Sequence, residues 1–460
     1  MKRTTGDAAR VLGGRLVGED KDYGVVSSDS RTLEPGSLFV ALRGPNFDGA
    51  DFAAAAAARG AAAALVERQV AAPLTQIIVP DALGALQRLA SAWRAQFNCP
   101  IVGVAGSNGK TTAKTMTAAI LSRMGACMAT QGNLNNHIGV PLTLMRLAAV
   151  HRSAVVEMGA NRIGDVAELV QIAVPTIGLI TNAGAEHLEG FGDLDGVARG
   201  EGEMVAGLAP EGTAVINADD PYAGYWRSIA GARRIVTFGA NAPAAGRAAP
   251  GDFIAKDPVQ SIAHGEFQTR FTLQCPLGER SILLKAGGAH NIANALAAAA
   301  AAAAAGASLE NIAAGLADFR AVSGRLQLKA GPRGSWIIDD SYNANPSSVR
   351  AGLEVLRSLS GATWLVFADM AELGEETADM HAHVGSYARD CGVKRLFALG
   401  VQSSRAVETF GAGGEWFADP NALIRRLQSE LESGVTVLVK GSRVNRLERV
   451  VQALTGGGKA

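Results

Sequence analysis

One segment limits the choice of fold more than any other. Pro100-Ile101-Val102-Gly103-Val104-Ala105-Gly106-Ser107-Asn108-Gly109-Lys110-Thr111-Thr112 carries an apolar strand into a glycine loop that ends in Lys-Thr-Thr and opens a helix. Gly106 and Gly109 allow a tight turn that presents backbone N–H groups inward, and the first helical turn adds its partial positive charge. In such a loop Lys110 meets the β and γ phosphates of a nucleotide and the Thr111 hydroxyl ligates Mg²⁺. The common phosphate loop has a glycine five positions before Gly109. Val104 stands there, so the loop is a shorter one. An ordinary glycine turn is the plainer alternative; the strand before it and the amphipathic run Ala113 to Met124, closed by Gly125, favour a phosphate cradle.

Such a loop belongs to a parallel α/β sheet, and the rest of the chain agrees. At 460 residues the chain exceeds one core and suggests about three domains. Residues 1–84 alternate short apolar strands, such as Ser37 to Leu42 and Gln76 to Val79, with the alanine-rich stretch Phe52 to Ala58: a small α/β domain. A helix from Ala82 to Phe97 leads into residues 85–322, where strands recur at Ala154 to Glu157, Thr176 to Thr181 and Thr213 to Asn217. Asn241 to Pro250 is loop-like in composition, and Asp252 to Lys285 alternates as antiparallel strands do. The alanine run from Ala293 and a helix after Ser308 complete this central domain. Residues 323–460 alternate strand and helix four times, at Trp336 to Asp339, Trp364 to Ala368, Arg395 to Leu399 and Val435 to Val439. That pattern predicts a doubly wound, Rossmann-like third domain.

Forty-three basic and 43 acidic residues balance, which argues against nucleic acid or an anionic membrane surface as a partner. The four cysteines are widely spaced and form no CxxC pair, as expected in a reducing compartment. Ala295 to Ala305, the longest apolar run, is well short of the ~20 residues of a membrane span. The expectation is a cytoplasmic protein, acting as a monomer.

Candidate chemistry follows the strand ends. Glu157 closes the apolar strand Ala154-Val155-Val156, where a carboxylate needs a partner; the Mg²⁺ of a bound nucleotide would serve, and a solvated acid is the alternative. His187 sits in the loop after the next strand. Alone it is an unremarkable polar-loop histidine, but one strand from Glu157 it could hold a second cation or orient a substrate oxygen. Asp339-Asp340-Ser341-Tyr342-Asn343-Ala344-Asn345-Pro346 leaves a strand and enters a helix at Pro346, either as a binding loop or as a plain polar turn. Lys440-Gly441-Ser442-Arg443 occupies the equivalent place after the last strand and suits an anion.

Taken in order, these motifs resemble the Mur ligases of peptidoglycan synthesis, nearest to the type that uses D-alanyl-D-alanine. The resemblance rests on Asp29-Ser30-Arg31 and Asp48-Gly49, the loop before Lys110, Asn133-Leu134-Asn135-Asn136, Glu157-Met158-Gly159, His187-Leu188-Glu189-Gly190, His290-Asn291, Gly324-Arg325, the segment from Asp339 to Pro346, and Asp369 to Gly374. It implies ATP and Mg²⁺ as cofactors, with UDP-N-acetylmuramoyl-tripeptide and D-alanyl-D-alanine as substrates. Residues 1–84 would hold the UDP precursor, 85–322 the ATP, and 323–460 would close over the site. Carried over by position, Ser30 and Arg31 fall in the uridine region. Gly106 to Thr112 and Arg325 face the phosphates, Asn291 the adenine and Asp339 the ribose. Asn135, Asn136, Asn343, Asn345 and Lys440 face the substrates. The family usually places a carbamylated lysine after the histidine loop, yet no lysine occurs between Lys114 and Lys256. Glu201 stands at its position, as a permanent carboxylate for the second Mg²⁺ or as a surface acid on a helix.

Overall fold

The computed structural model describes residues 3–239 and 251–456, so the loop expected at 241–250 lies outside the described residues. Three α/β layers follow one another. The first sheet runs in the order Arg15–Val17, Thr75–Ile78, Ala63–Val66, Leu38–Val40 and Val26–Ser27, with only the Arg15–Val17 edge antiparallel. Its strands are short, and two of its three inner members, Leu38–Val40 and Ala63–Val66, are buried along their whole length. The helix Ala82–Arg94, capped by Asp81, leads onward, and the Trp93 indole donates to the Leu147 carbonyl to tie the first layer to the second.

The central sheet has six parallel strands in the order Arg234–Phe238, Thr213–Asn217, Ile177–Ile180, Ile101–Ala105, Ser153–Glu157 and Cys127–Ala129. Fully buried Val, Ile and Ala on both faces explain the unbroken apolar runs. The chain leaves strand Ile101–Ala105 with neighbours on either side that come later in sequence, and at such a reversal the loops at the carboxyl ends part to form a crevice. Register puts Glu157 level with Val104 and Ile180 level with Ala105, so both flanking strands end beside the loop before Lys110.

Helix Lys110–Leu121 covers one face of this sheet together with helix Ala289–Ala304. The alanine run is therefore a packing device: nearly every alanine from 295 to 302 is fully buried, and small side chains let the two helices approach closely. An antiparallel sheet of Ile254–Ala263, Glu266–Cys275 and Gly278–Leu284 flanks them.

The third layer has six strands in the order Gln327–Ala330, Trp336–Asp340, Val435–Lys440, Ala362–Ala368, Arg395–Leu399 and Gly414–Phe417, parallel except for the first. Its four inner strands match the expected ones; the two outer strands were not visible in the pattern. The ends of Trp336–Asp340 and Val435–Lys440 lie side by side and turn toward the central crevice.

Candidate active site

The phosphate loop is held in shape from three sides. Gly106 (φ +119°) could not be any other residue without strain, since a Cβ there would meet Thr181 Oγ1 at 2.1 Å. Gly109 (φ +84°) lets Asn294 of the alanine helix approach the space of a Cβ within 2.2 Å. The Asn182 side chain clamps Asn108, accepting from its N–H at 3.0 Å and donating to its carbonyl at 2.9 Å, and Thr181 Oγ1 donates to the same carbonyl at 2.7 Å. Ser107 N donates to the Asn182 carbonyl. Gly106 N donates to Glu201 Oε2 at 2.6 Å. The expectation that the glycine amides face a ligand is corrected for Gly106: the amides of residues 106 to 108 are committed to the protein. A phosphate can still meet Gly109, the N-cap, and the first turn of helix Lys110–Leu121, whose leading N–H groups have no partner within the helix.

Lys110 Nζ donates to the Gly106 and Ser107 carbonyls and pairs with Glu186 Oε1 at 3.2 Å. Burial alone would lower its pKa, but the carboxylates of Glu186, Glu201 and Glu157 outweigh that effect and raise it, so the ammonium stays charged. Glu157, 2% exposed, accepts from Thr111 Oγ1 at 3.2 Å and from Asn135 Nδ2 at 2.9 Å through Oε1. Its Oε2 lies 3.2 Å from Lys114 Nζ, close enough for an ion pair but without hydrogen-bond alignment. A buried carboxylate oxygen beside a threonine hydroxyl and a phosphate-binding helix suits a hard cation.

The third layer reaches this cradle at three points. Arg325 Nη2 donates to Thr111 Oγ1 at 3.1 Å, and its guanidinium lies 4.4 Å from the Tyr342 ring centroid. Asn345 Nδ2 donates to Asn108 Oδ1 at 2.9 Å, while Asn108 Nδ2 donates to Ser347 Oγ at 3.0 Å. Glu372 pairs with His187 Nδ1. Two sides of a cleft of about 580 Å³ are thereby joined.

Of the residues expected from sequence, Ser107, Asn108, Gly109, Lys110, Thr111, Thr112, Asn135, Asn136, Glu157, His187, Asn291, Arg325, Asn343, Asn345 and Lys440 line this one cleft. Within it several are already engaged. Asn136 Oδ1 accepts from Gly139 N at 2.9 Å at the start of helix Gly139–Leu144, Asn345 caps Pro346–Arg357, and Lys440 Nζ pairs with Asp340 Oδ2 at 2.6 Å. Asn291 donates to the Gly287 carbonyl at 2.8 Å.

Two expectations are corrected. Asp339 does not line the cleft: strand alternation turns it to the opposite face, where it pairs with Lys329 at 2.7 Å and accepts from Ser341 Oγ at 2.6 Å, while Asp340 takes the cleft side. Glu201 is neither a surface acid nor a wall of the cleft. It is 1% exposed and lies behind the loop, with Oε1 unpartnered. Ser30 and Arg31 do not line the cleft and lie in the turn after strand Val26–Ser27, where Arg31 pairs with Asp29 at 2.9 Å. Sequence reasoning missed Glu186, Thr181, Asn182 and Tyr342. Glu186 adjoins His187 and Tyr342 lies inside the Asp339 motif, so both carried a signal; the clamp by Thr181 and Asn182 depends on strand adjacency and carried none.

Glu201 gives a pH prediction. Desolvation raises its pKa to about 7, against the opposing pull of Lys110 and with help from Glu186. Between the unfolded value of 4.5 and about 7 the folded state keeps a proton that the unfolded state has lost. The stability from this group is therefore complete below the lower value and lost as pH rises through the upper one, a change of about 3 kcal/mol. For the metal-free protein, Tm should fall between about pH 5 and about pH 8, and Glu201→Gln should flatten that fall. Parallel pH profiles for the two proteins would contradict this.

Comparison with known proteins identifies the assembly. Three family models match successive parts of the chain: "Mur ligase family, catalytic domain" at residues 22–94, "Mur ligase middle domain" at 104–302 and "Mur ligase, glutamate ligase domain" at 324–443. The UDP-N-acetylmuramoyl-tripeptide–D-alanyl-D-alanine ligase of Escherichia coli is 45% identical over 450 residues, with 97% of each chain covered. The Haemophilus influenzae ligase of the same name is 35% identical, covering 99% of this chain and 98% of its own. A crystal structure of MurF from Acinetobacter baumannii superposes with a TM-score of 0.90 at 32% identity over 99% of both chains. MurF of Thermotoga maritima, solved in complex with ADP, gives 0.82 at 26% identity, covering 94% of this chain and 97% of that one. The chain therefore belongs to the Mur ligase family, with its full-length likeness to the MurF branch.

Proposed function

We propose that this chain joins D-alanyl-D-alanine to the terminal carboxylate of UDP-N-acetylmuramoyl-tripeptide, with ATP converted to ADP and phosphate. One observation carries the reading: Lys110, Thr111 and Glu157 of the central layer meet Arg325 of the third layer across a single cleft. A carboxylate does not acylate an amine at neutral pH, so it must first gain a leaving group. The tripeptide carboxylate attacks the γ-phosphorus, giving an acyl phosphate and ADP. The dipeptide amine then attacks the acyl carbon, and phosphate departs as the amide forms.

In this reading Lys110 and Arg325 neutralise the charge on the transferring phosphoryl group. Mg²⁺, when bound through Thr111 and Glu157, supplies further neutralisation and orients the phosphate oxygens. Water would hydrolyse the acyl phosphate, and the bridges from Arg325, Asn345 and Glu372 to the central layer are suited to exclude it. The UDP part belongs to residues 1–84, ATP to 85–322, and closure to 323–460. No described helix is long and apolar enough to cross a membrane. The same reading places the protein in the cytoplasm, working as a monomer.

Incubation with ATP, Mg²⁺, the UDP-tripeptide and D-alanyl-D-alanine should release one phosphate per product heavier by one dipeptide. ATP turnover without that product would overturn the assignment in favour of another amide ligase or a nucleotide-driven switch. Asn108→Ala tests the closure. Losing both hydrogen bonds to the third layer should lower kcat about tenfold, with ADP affinity changed by less than about threefold. Equal loss in both would place Asn108 in nucleotide binding alone.

A further inference from the structure

A second cavity, of about 570 Å³, opens beside the cleft between helices Pro346–Arg357 and Thr377–Asp390, and it shares Ser347 with the cleft. Its character differs. The cleft is walled by asparagines and charges; this cavity is walled by Val349, Leu353, Met380, Val384 and Tyr387. Three charged groups stand at its exposed edge: Arg350, Glu376 and Asp379. Arg350 lies 5.1 Å from the Tyr387 ring centroid and is paired with no carboxylate among the described residues, and neither acid has a basic partner there. Nearby Glu354, by contrast, is taken by Arg357 and Tyr387. An apolar wall with one arginine that is hydrogen-bonded to Tyr387 but has no carboxylate partner, and two acids without a basic partner, among the described residues, fits a small zwitterion with aliphatic side chains.

Position gives the cavity a direction. Ser347 is bonded to Asn108 of the phosphate loop, and Ala185, which also lines the cavity, lies two residues before His187. Glu376 follows four residues after Glu372, the partner of His187, so the acidic edge is the one next to the cleft. Arg350 is three residues along the helix from Ser347, a rise of about 4.5 Å, and an extended dipeptide spans about 7 Å.

We propose that this cavity is the acceptor site, receiving a short peptide with small apolar side chains, its carboxylate on Arg350 and its amino end toward Glu376, Ser347 and the cleft. The inference rests on the proposed ligase activity and deepens it. Asn345, fixed as a helix cap and as a bridge to Asn108, then positions the site and leaves the dipeptide to its neighbours. A guanidinium gripping a carboxylate with two parallel bonds is a strong and geometrically selective contact.

The experiment is steady-state kinetics on the full chain with Arg350→Ala, Arg350→Lys and Met380→Trp, varying each of the three substrates. Arg350→Ala should raise KM for D-alanyl-D-alanine by about tenfold or more, while kcat and the KM values for ATP and the UDP-tripeptide stay within about twofold. Arg350→Lys should recover part of the loss, and Met380→Trp, which fills the cavity, should also raise the dipeptide KM. An unchanged dipeptide KM in both Arg350→Ala and Met380→Trp overturns the site. Failure of the unsubstituted protein to form product would instead overturn the ligase assignment, so the two failures are distinguishable.

Discussion

Lys110→Ala is expected to abolish ligation, with kcat falling by on the order of 10³-fold or more. The size follows from where the charge sits. Lys110 is the cation enclosed by the phosphate loop, and three carboxylates keep it ionised despite burial. Removing it takes away charge neutralisation at the group being transferred. It also leaves Glu186, 8% exposed, without its ion-pair partner, so a loss of stability accompanies the loss of rate. Circular dichroism and Tm separate the two effects, and a folded Lys110→Ala protein with near-normal turnover would refute the phosphate-loop assignment.

Glu157→Gln should produce the second-largest effect, a fall in kcat of about 10²-fold and a marked rise in the Mg²⁺ concentration needed for half-maximal rate. Glutamine keeps an oxygen for Thr111 and Asn135, so the substitution isolates the charge from the hydrogen bonds. Lys114, 5% exposed, would then face a neutral group, and breaking such a buried pair costs about 3 kcal/mol. A Mg²⁺ titration of initial rate gives the first readout and urea unfolding the second. Unchanged Mg²⁺ dependence would assign Glu157 to holding Lys114 alone.

Strong local signals are legible in the sequence. Strand Ile101–Ala105, its loop and helix Lys110–Leu121 follow from an apolar run, glycines that need positive φ, and a helical continuation. The inner strands of the third layer are equally plain, because strands buried on both faces are apolar at every position. Arg15–Val17, Cys127–Ala129 and Gly414–Phe417 escaped notice because edge strands are short and partly exposed, and their pattern resembles a loop. The side of the sheet that Asp339 takes is hidden for a related reason. Two adjacent acids at a strand end point to opposite faces, and only the last paired residue, Asp340 opposite Lys440, fixes which one meets the cleft.

The sequence by itself determined the chemistry available: a lysine and threonine after a glycine turn, acids at strand ends, and an arginine after Gly324. Short-range rules govern those features, and spacing along the chain carries them. Tertiary structure alone decided which groups meet. Arg325 lies 214 residues from Thr111 and Asn345 lies 237 from Asn108, yet each pair is hydrogen-bonded. Glu201, 95 residues from Gly106, became a buried prop for the loop. Such contacts depend on how three layers pack on one another, and that packing is set by surfaces assembled from distant segments, for which no local pattern exists.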